Sequence, residues 1–342
     1  MMRKKPIHII LLVLLSSLML ILAGCGSDKE KGKDTGKTQA QGSEITVRVG
    51  DITAAELIVP FHIALEKGFF KEEGLKIERK IFVNGPNVMM AMANGELDLC
   101  VATGFTPILQ AAAQGSDVKI LASMGKGNAP VVAGEHIKTF KDLDGKVVAT
   151  PGLGTIQNTM LSIAAEKNGI KFKKVIHGKI TDLPVFLEKG EIDAFTGWEW
   201  PVADTVNRVK GAHYVLKMPV IVNAESVAMG VNGKFYTQNP ETVKKFMRAY
   251  LKGVKYFKEH KDEGVALMAK MINRPEDVAK MTLENVITDV PEIDMPSVKF
   301  AVEDALNTGK IKKEAVPDID AFLIKNIDQT LVRELSKEVG LK

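Results

Sequence analysis

Residues 189–201, "KGEIDAFTGWEWP", repeat with small changes the wording of residues 94–107, "NGELDLCVATGFTP". Each copy opens on Gly-Glu-(Leu/Ile)-Asp, continues through a short apolar run and reaches Thr-Gly followed by an aromatic residue. A glycine just past a helix takes the left-handed backbone that most residues avoid, and a short apolar run bounded by turn residues reads as a strand. Each copy therefore reads as a helix, a Gly-stopped turn (Gly95, Gly190) and a strand. Asp98 and Asp193 fall at the strand starts, where a carboxylate serves the turn by local hydrogen bonding. The second strand is two residues shorter, a difference that keeps the same side chains on the same face of a sheet. With that gap, Thr103-Gly104-Phe105 matches Thr196-Gly197-Trp198. Two unrelated units sharing common turn chemistry are the alternative. A true repeat means two similar α/β halves, with Phe105 and Trp198 beyond the carboxyl ends of strands, where open α/β sheets bind ligands.

The same rhythm runs outward from both copies. "EITVRVGD", "LKIERKIFV" and "VKILASMG" read as strands, and "PFHIALEKGFF", "PNVMMAMANG" and "FTPILQAAAQG" as helices. Pro60 suits a first helical turn and Gly68 a helix stop. The pattern restarts near Lys138 with a turn of helix, the strand "KVVAT", the helix "IQNTMLSIAAEKNG", the strand "KFKKVIHG" and the helix "TDLPVFLEKG". "AHYVLKMPV" and "SVAMGVNGKFY" read as further strands, and the chain from Pro240 on as helical. Alternating β and α segments predict mostly parallel sheets with helices on both faces.

The amino terminus is of another kind. Arg3, Lys4 and Lys5 precede an apolar run from Ile9 to Ala23, the pattern of an export signal, and Leu22-Ala23-Gly24-Cys25 resembles the lipobox of bacterial lipoproteins. Residues 1–24 are expected to be removed, leaving Cys25 lipidated and the protein anchored to the outer face of the cell membrane. Residues 25–43 carry no large apolar side chain and read as a tether. Without the seven Lys and Arg of these two segments, 39 basic residues remain. Without Asp28, Glu30 and Asp34, 39 acidic residues remain. The body is neutral and lacks the basic footprint of a nucleic-acid binder. Some 300 residues exceed what one core serves, so two lobes are expected. Cys100 is the one thiol after Cys25 and reads as a small buried hydrophobe.

Several stretches, taken in order, resemble a known family. "PFHIALEKGFFKEEGLKIE", "NGPNVMMAMANGELDLCVATG", "KDLDGKVVATPGLGTIQNTML" and "KGEIDAFTGWEWPVA" are similar to successive segments of the substrate-binding proteins of nitrate/sulfonate/taurine-type ABC importers, over about residues 45–235. The resemblance implies a two-lobed periplasmic-binding-protein fold (type 2). Each lobe would be a mostly parallel sheet flanked by helices, with a ligand cleft between the lobes. It implies a monomer that works with an importer permease and needs no cofactor or metal. Residues 45–133 with 229–342 would form lobe 1 and residues 134–228 lobe 2, with crossovers near 129–134 and 226–232. The sequence departs from the family at Trp198-Glu199-Trp200-Pro201, where an extra aromatic precedes the proline, and across residues 51–59.

Four junctions are expected to converge on the cleft: Thr53–Phe61, Thr103–Thr106, Pro151–Gln157 and Thr196–Glu199. The candidate ligand-binding residues are Thr53, Leu57, Phe61, Thr103, Gly104, Phe105, Thr155, Gln157, Trp198 and Glu199. Helix N-termini offer unpaired N–H groups and partial positive charge, which suit an anion. None of these loops contains an arginine; Lys126 is the nearest candidate cation, and Asp51, Glu56 and Glu199 are nearby acids. If Glu199 faces the ligand, the ligand carries an amine or amide donor; otherwise it is a first-turn helix acid. Phe105, Trp198 and Trp200 favour an organic body over bare nitrate, although one indole could be core. Trp200 is expected to pack within lobe 2. The five histidines of the body are scattered without metal-ligand spacing, and no nucleophile or phosphate-loop motif occurs, so catalysis is not expected. A related member that makes the thiamin pyrimidine relies on a Cys-rich stretch absent here. Two binding readings remain: a sulfonate or carboxylate-bearing organic anion, or a neutral or cationic heterocycle such as a thiamin pyrimidine precursor. A ligand-free scaffold lipoprotein is the third class.

Overall fold

A computed structural model of the chain describes residues 44–52, 57–82, 84–127, 129–153, 155–217 and 224–341. The expected export signal, Cys25, the tether, Thr53 and Glu56 lie outside them. The described strands are β1 (Ile45–Ile52), β2 (Leu75–Phe82), β3 (Leu99–Gly104), β4 (Val118–Gly127), β5 (Val131–Ala133), β6 (Val147–Thr150), β7 (Lys174–His177), β8 (Ala194–Thr196), β9 (His213–Leu216), β10 (Glu225–Asn232) and β11 (Val286–Ile287). They form two sheets, ordered β2-β1-β3-β10-β4-β11 and β7-β6-β8-β5-β9. In the first sheet β1 lies parallel to β2 and β3, and β10 runs antiparallel between β3 and β4. In the second, β6 lies parallel to β7 and β8, and β5 runs antiparallel between β8 and β9. Each sheet thus has an antiparallel strand at an equivalent place in an otherwise largely parallel array, and β11 adds a second antiparallel strand at the edge of the first sheet.

Period-two burial explains the layering. Leu99 and Val101 of β3 face one core with Val47, Val49, Phe61 and Phe246, while Cys100 between them faces another with Val88, Ile108 and Val302. Helices Val59–Glu66 and Pro240–Glu259 cover the first face; helices Gly85–Ala93, Phe105–Ala113 and Met295–Asn307 cover the second. The second sheet is covered likewise, with Val148 and Leu161 on one side and Ala149, Leu187, Phe195 and Val202 on the other. Burial pushes the Cys100 thiol up to about 11, as suits an inert core residue.

The two quoted stretches are equivalent down to their hydrogen bonds. Gly95 and Gly190 have φ of 73° and 72°. Asp98 N–H donates to Arg48 O at 2.9 Å while its carboxylate accepts Arg48 N–H at 2.8 Å. Asp193 makes the same pair of contacts with Val147, both at 2.8 Å. Each carboxylate thereby pins the start of its strand to the neighbouring parallel strand, which shared turn chemistry alone does not require.

The first passage between the sheets overlaps the expected one near residue 129 but ends sooner, and the second lies before the expected one. The chain leaves the first sheet at Gly127, enters the second at Val131, leaves it at Leu216 and returns at Glu225. Residues 131–133 therefore belong to the second sheet, and residues 225–228 to the first. The reason is that the first strand after each passage, β5 or β10, is the antiparallel strand of the sheet it joins. The reading of "SVAMGVNGKFY" as one strand also ran too far. Asn232 accepts Phe235 N–H at 3.1 Å and starts a helix, Gly233–Gln238.

Candidate functional site

A cavity of about 360 Å³ lies where the carboxyl ends of the parallel strands of both sheets meet. The first lobe contributes Ile52 from the end of β1, Leu57, and the starts of two helices, Asn84–Gly85 and Gly104–Pro107. The second lobe contributes Thr155–Gln157, at the start of helix Ile156–Asn168, and Trp198, the N-cap of helix Glu199–Arg208. Strand β10 adds Glu225, Ser226 and Val227, and helix Met295–Asn307 adds Ala301. Four helix N-termini, two from each lobe, thus border one space.

Their capping differs in a way that matters for a ligand. Asn84 accepts Asn87 N–H at 3.0 Å, and Thr155 accepts Asn158 N–H at 3.2 Å. Gly104 and Trp198 provide no side-chain cap to their helices. A helix start without such a cap leaves first-turn amides for water or a bound anion. In the helix after Gly104, Phe105 and Thr106 carry those amides, and Pro107 carries none.

Of the expected residues, the structure brings together Leu57, Gly104, Phe105, Thr155, Gln157 and Trp198. Three others stand elsewhere. Phe61 is fully buried in the core, its ring 5.5 Å from that of Phe70 and 6.3 Å from that of Phe246. Its helix meets the cavity with its leading loop, and Phe61 falls on the side turned to helix Pro240–Glu259. Thr103 is buried one residue short of the strand end, its hydroxyl donating to Val101 O at 3.5 Å. Glu199 is fully buried and does not line the cavity. Its Oε1 accepts Tyr214 Oη–H at 2.7 Å and Asn285 Nδ2–H at 2.8 Å. Burial first, then the Glu199 charge, hold the Tyr214 phenol far above its usual range, so it stays a donor.

Trp200 corrects another expectation. It packs among Val59, Ile63, Phe257 and Met268, on helices of the first lobe. Asp51 is buried beside Arg79, whose Nε donates to it at 3.1 Å, and it does not line the cavity. Lys126 also stays off the cavity wall: its Nζ donates to Glu292 O at 2.8 Å and lies 3.2 Å from Glu225 Oε1. Glu225 further accepts Ser123 Oγ–H at 2.6 Å and Asp294 N–H at 2.7 Å. It is the one charged side chain among the described residues of the lining, and it is fully engaged by these partners. Asn84 and Gly85 were missed, although Asn-Gly before Pro86 carries the local signal of a capped helix start. Glu225 and Ala301 carry no local signal, because a strand and a helix distant in sequence bring them in.

Among the described residues no cluster of His, Cys, Asp and Glu could hold a metal ion, and no helix is long and apolar enough to cross a membrane.

A family model described as "NMT1/THI5 like" matches residues 57–264. The "Putative aliphatic sulfonates-binding protein" of Bacillus subtilis (strain 168) is 26% identical over 291 residues, 81% of each chain. The taurine-binding periplasmic protein of Escherichia coli (strain K12) is 26% identical over 270 residues, 75% of this chain and 78% of that one. Among solved structures, the "putative sulfonate ABC transporter, periplasmic sulfonate-binding protein" of Methylobacillus flagellatus KT superposes with a TM-score of 0.68 at 21% identity, over 88% of this chain and 96% of that one. The architecture is the two-lobed periplasmic-binding-protein fold.

Proposed function

Because the chain belongs to the NMT1/THI5-like family, we propose that it is an extracytoplasmic solute-binding lipoprotein that captures a small organic anion and delivers it to an ABC importer. The anion is a sulfonate or carboxylate held in the interlobe cavity. The observation that carries this reading is the cavity itself: four helix N-termini border it, and no uncompensated carboxylate lines it among the described residues. Helix starts favour negative charge through their exposed amides and partial positive charge. Trp198, Leu57, Ile52 and Val227 supply an apolar wall for the organic body. The names of the two relatives, one for aliphatic sulfonates and one for taurine, point the same way.

The heterocycle reading fits less well. An amino-heterocycle or a cation needs an acceptor, and Glu199 is turned away while Glu225 is already engaged. The lipid anchor rests on Leu22-Ala23-Gly24-Cys25, and acyl chains in pairs or more give stable anchoring.

Thermal unfolding with hexanesulfonate, taurine, hexanoate and an aminopyrimidine tests the reading. A ligand at a hundred times its Kd stabilises by about 2.7 kcal/mol, so at least one of the anions should raise the midpoint clearly. A shift with the aminopyrimidine alone overturns the anion assignment. No shift with any of them, together with native mass spectrometry of fresh protein showing no bound small molecule, overturns solute binding.

A further inference from the structure

We propose that Glu199 is a positioning residue that joins the wall of the cavity to the joint between the lobes, so that the placement of Trp198 and the angle between the lobes are set together. The proposal rests on the solute-binding reading above. Glu199 directly follows Trp198, which lines the cavity, yet its own side chain is fully buried outside the lining.

The two donors to Glu199 Oε1 come from opposite lobes. Tyr214 lies on β9, the last strand of the second sheet before the chain returns to the first lobe. Asn285 directly precedes β11, which pairs with β4 at Gly127 and Lys126, where the chain leaves the first lobe. One carboxylate oxygen therefore ties together the elements beside both passages between the lobes. Two donors from opposite lobes on one buried oxygen fix the placement of both, because hydrogen bonds weaken steeply when stretched or bent and count for more at low local dielectric.

The rest of the helix extends the joint. Val202 covers the second sheet, while the opposite side of the helix meets the first lobe. Trp200 packs on Val59, Ile63, Phe257 and Met268, with the Arg274 guanidinium 5.8 Å from its ring centre. Asp204 accepts Arg274 Nε–H at 3.0 Å, and Asp277 accepts Asn207 Nδ2–H at 2.9 Å. A change in lobe angle that parts Glu199 from Asn285 must hydrate a carboxylate that is dry in this arrangement. A shift of Glu199 also carries Trp198, its chain neighbour, with it.

The test uses the full chain with Cys25→Ser, in which Cys100 is buried and does not label. Spin labels at Ile81→Cys and Leu153→Cys, both exposed at the cavity ends of their lobes, report the interlobe distance without any ligand. In Asn285→Leu the distance distribution should broaden and lengthen. Glu199→Gln keeps an acceptor of the same shape, loses the charge, and should lie between Asn285→Leu and wild type. In a Trp200→Phe background, where Trp198 is the one indole, both variants should shift the emission maximum. Should wild type bind hexanesulfonate, affinity should fall about tenfold in Asn285→Leu. Wild-type distances and emission in both variants, with only the melting temperature lowered, would overturn the proposal. Because distance and emission are read without ligand, they judge the joint even if hexanesulfonate does not bind and the anion reading falls.

Discussion

Trp198 sits where strand β8 gives way to a helix, and its indole is part of the cavity wall. An aromatic face offers a large contact area with only two rotatable side-chain bonds to fix. Trp198→Ala should therefore weaken binding of a cognate anion by about 2 kcal/mol, more than tenfold in Kd, measurable by titration calorimetry. Trp200, two residues on, packs on the helices of the first lobe. Trp200→Ala should lower stability by about 2 kcal/mol, less than a fully buried indole costs, and denaturant unfolding will read it. His62 makes a different kind of prediction. Burial first, then the charge of Arg79, hold its imidazole down to about 4, and Arg79 lies 3.2 Å from its Nε2. The unfolded chain takes up this proton near pH 6.5, so between about pH 6.5 and 4 this site binds more protons in the unfolded chain than in the folded one, and its contribution to stability falls as pH falls through that window. His62→Gln should flatten that part of the stability curve. A ring titrating near its ordinary value by NMR would contradict this.

The elements were the most legible part of the chain, because their signals are local. The helix stops at Gly95 and Gly190 and the strand starts at Asp98 and Asp193 could be read from four-residue patterns, and the fold keeps both sets. The expected passages between lobes ran on too far because an apolar run such as Val131–Ala133 looks the same whether it crosses or pairs. The same limit explains the site. Residues at strand ends, Gly104, Phe105 and Trp198, follow from position along the chain. The withdrawal of Glu199 toward Tyr214 and Asn285 depends on partners 15 and 86 residues away, which no local pattern encodes. Helix packing offers its own check at Gly253, on helix Pro240–Glu259. A methyl group there would meet the Pro60 carbonyl and Ala64 of the opposing helix. Alanine gains about 1 kcal/mol of helix propensity, but backbone oxygen cannot swing aside as a side chain can. Gly253→Ala should be destabilising by roughly 1–3 kcal/mol, seen as a lower urea midpoint. A stabilised variant would show that the two helices can part at no cost.

For the whole molecule, the largest division is between the neutral body and the basic, apolar amino terminus that lies outside the described residues. All the excess charge of the chain is in that terminus, so the folded part carries no net charge to draw a partner. The lipoprotein proposal predicts that cells expressing Cys25→Ala yield protein that no longer takes up labelled fatty acid and is not retained in the membrane fraction. Normal acylation of that variant would remove the anchor from the account. The body itself passes twice between its lobes, and two passages restrict relative motion more than one, favouring a bending motion over free tumbling.

The cavity wall also bears on how salt and pH act on an anion seated there. No lysine or arginine stands in it among the described residues, so an anion seated there is held by peptide amides and the ends of helices. Amides do not titrate. Side-chain cations at the surface lose much of their pull as ionic strength rises, whereas buried dipoles are shielded far less. Anion affinity should accordingly change little between dilute buffer and about 0.5 M salt, and any change with pH should trace to Glu225, the one titratable side chain of the described lining, which burial holds above its usual carboxylate range.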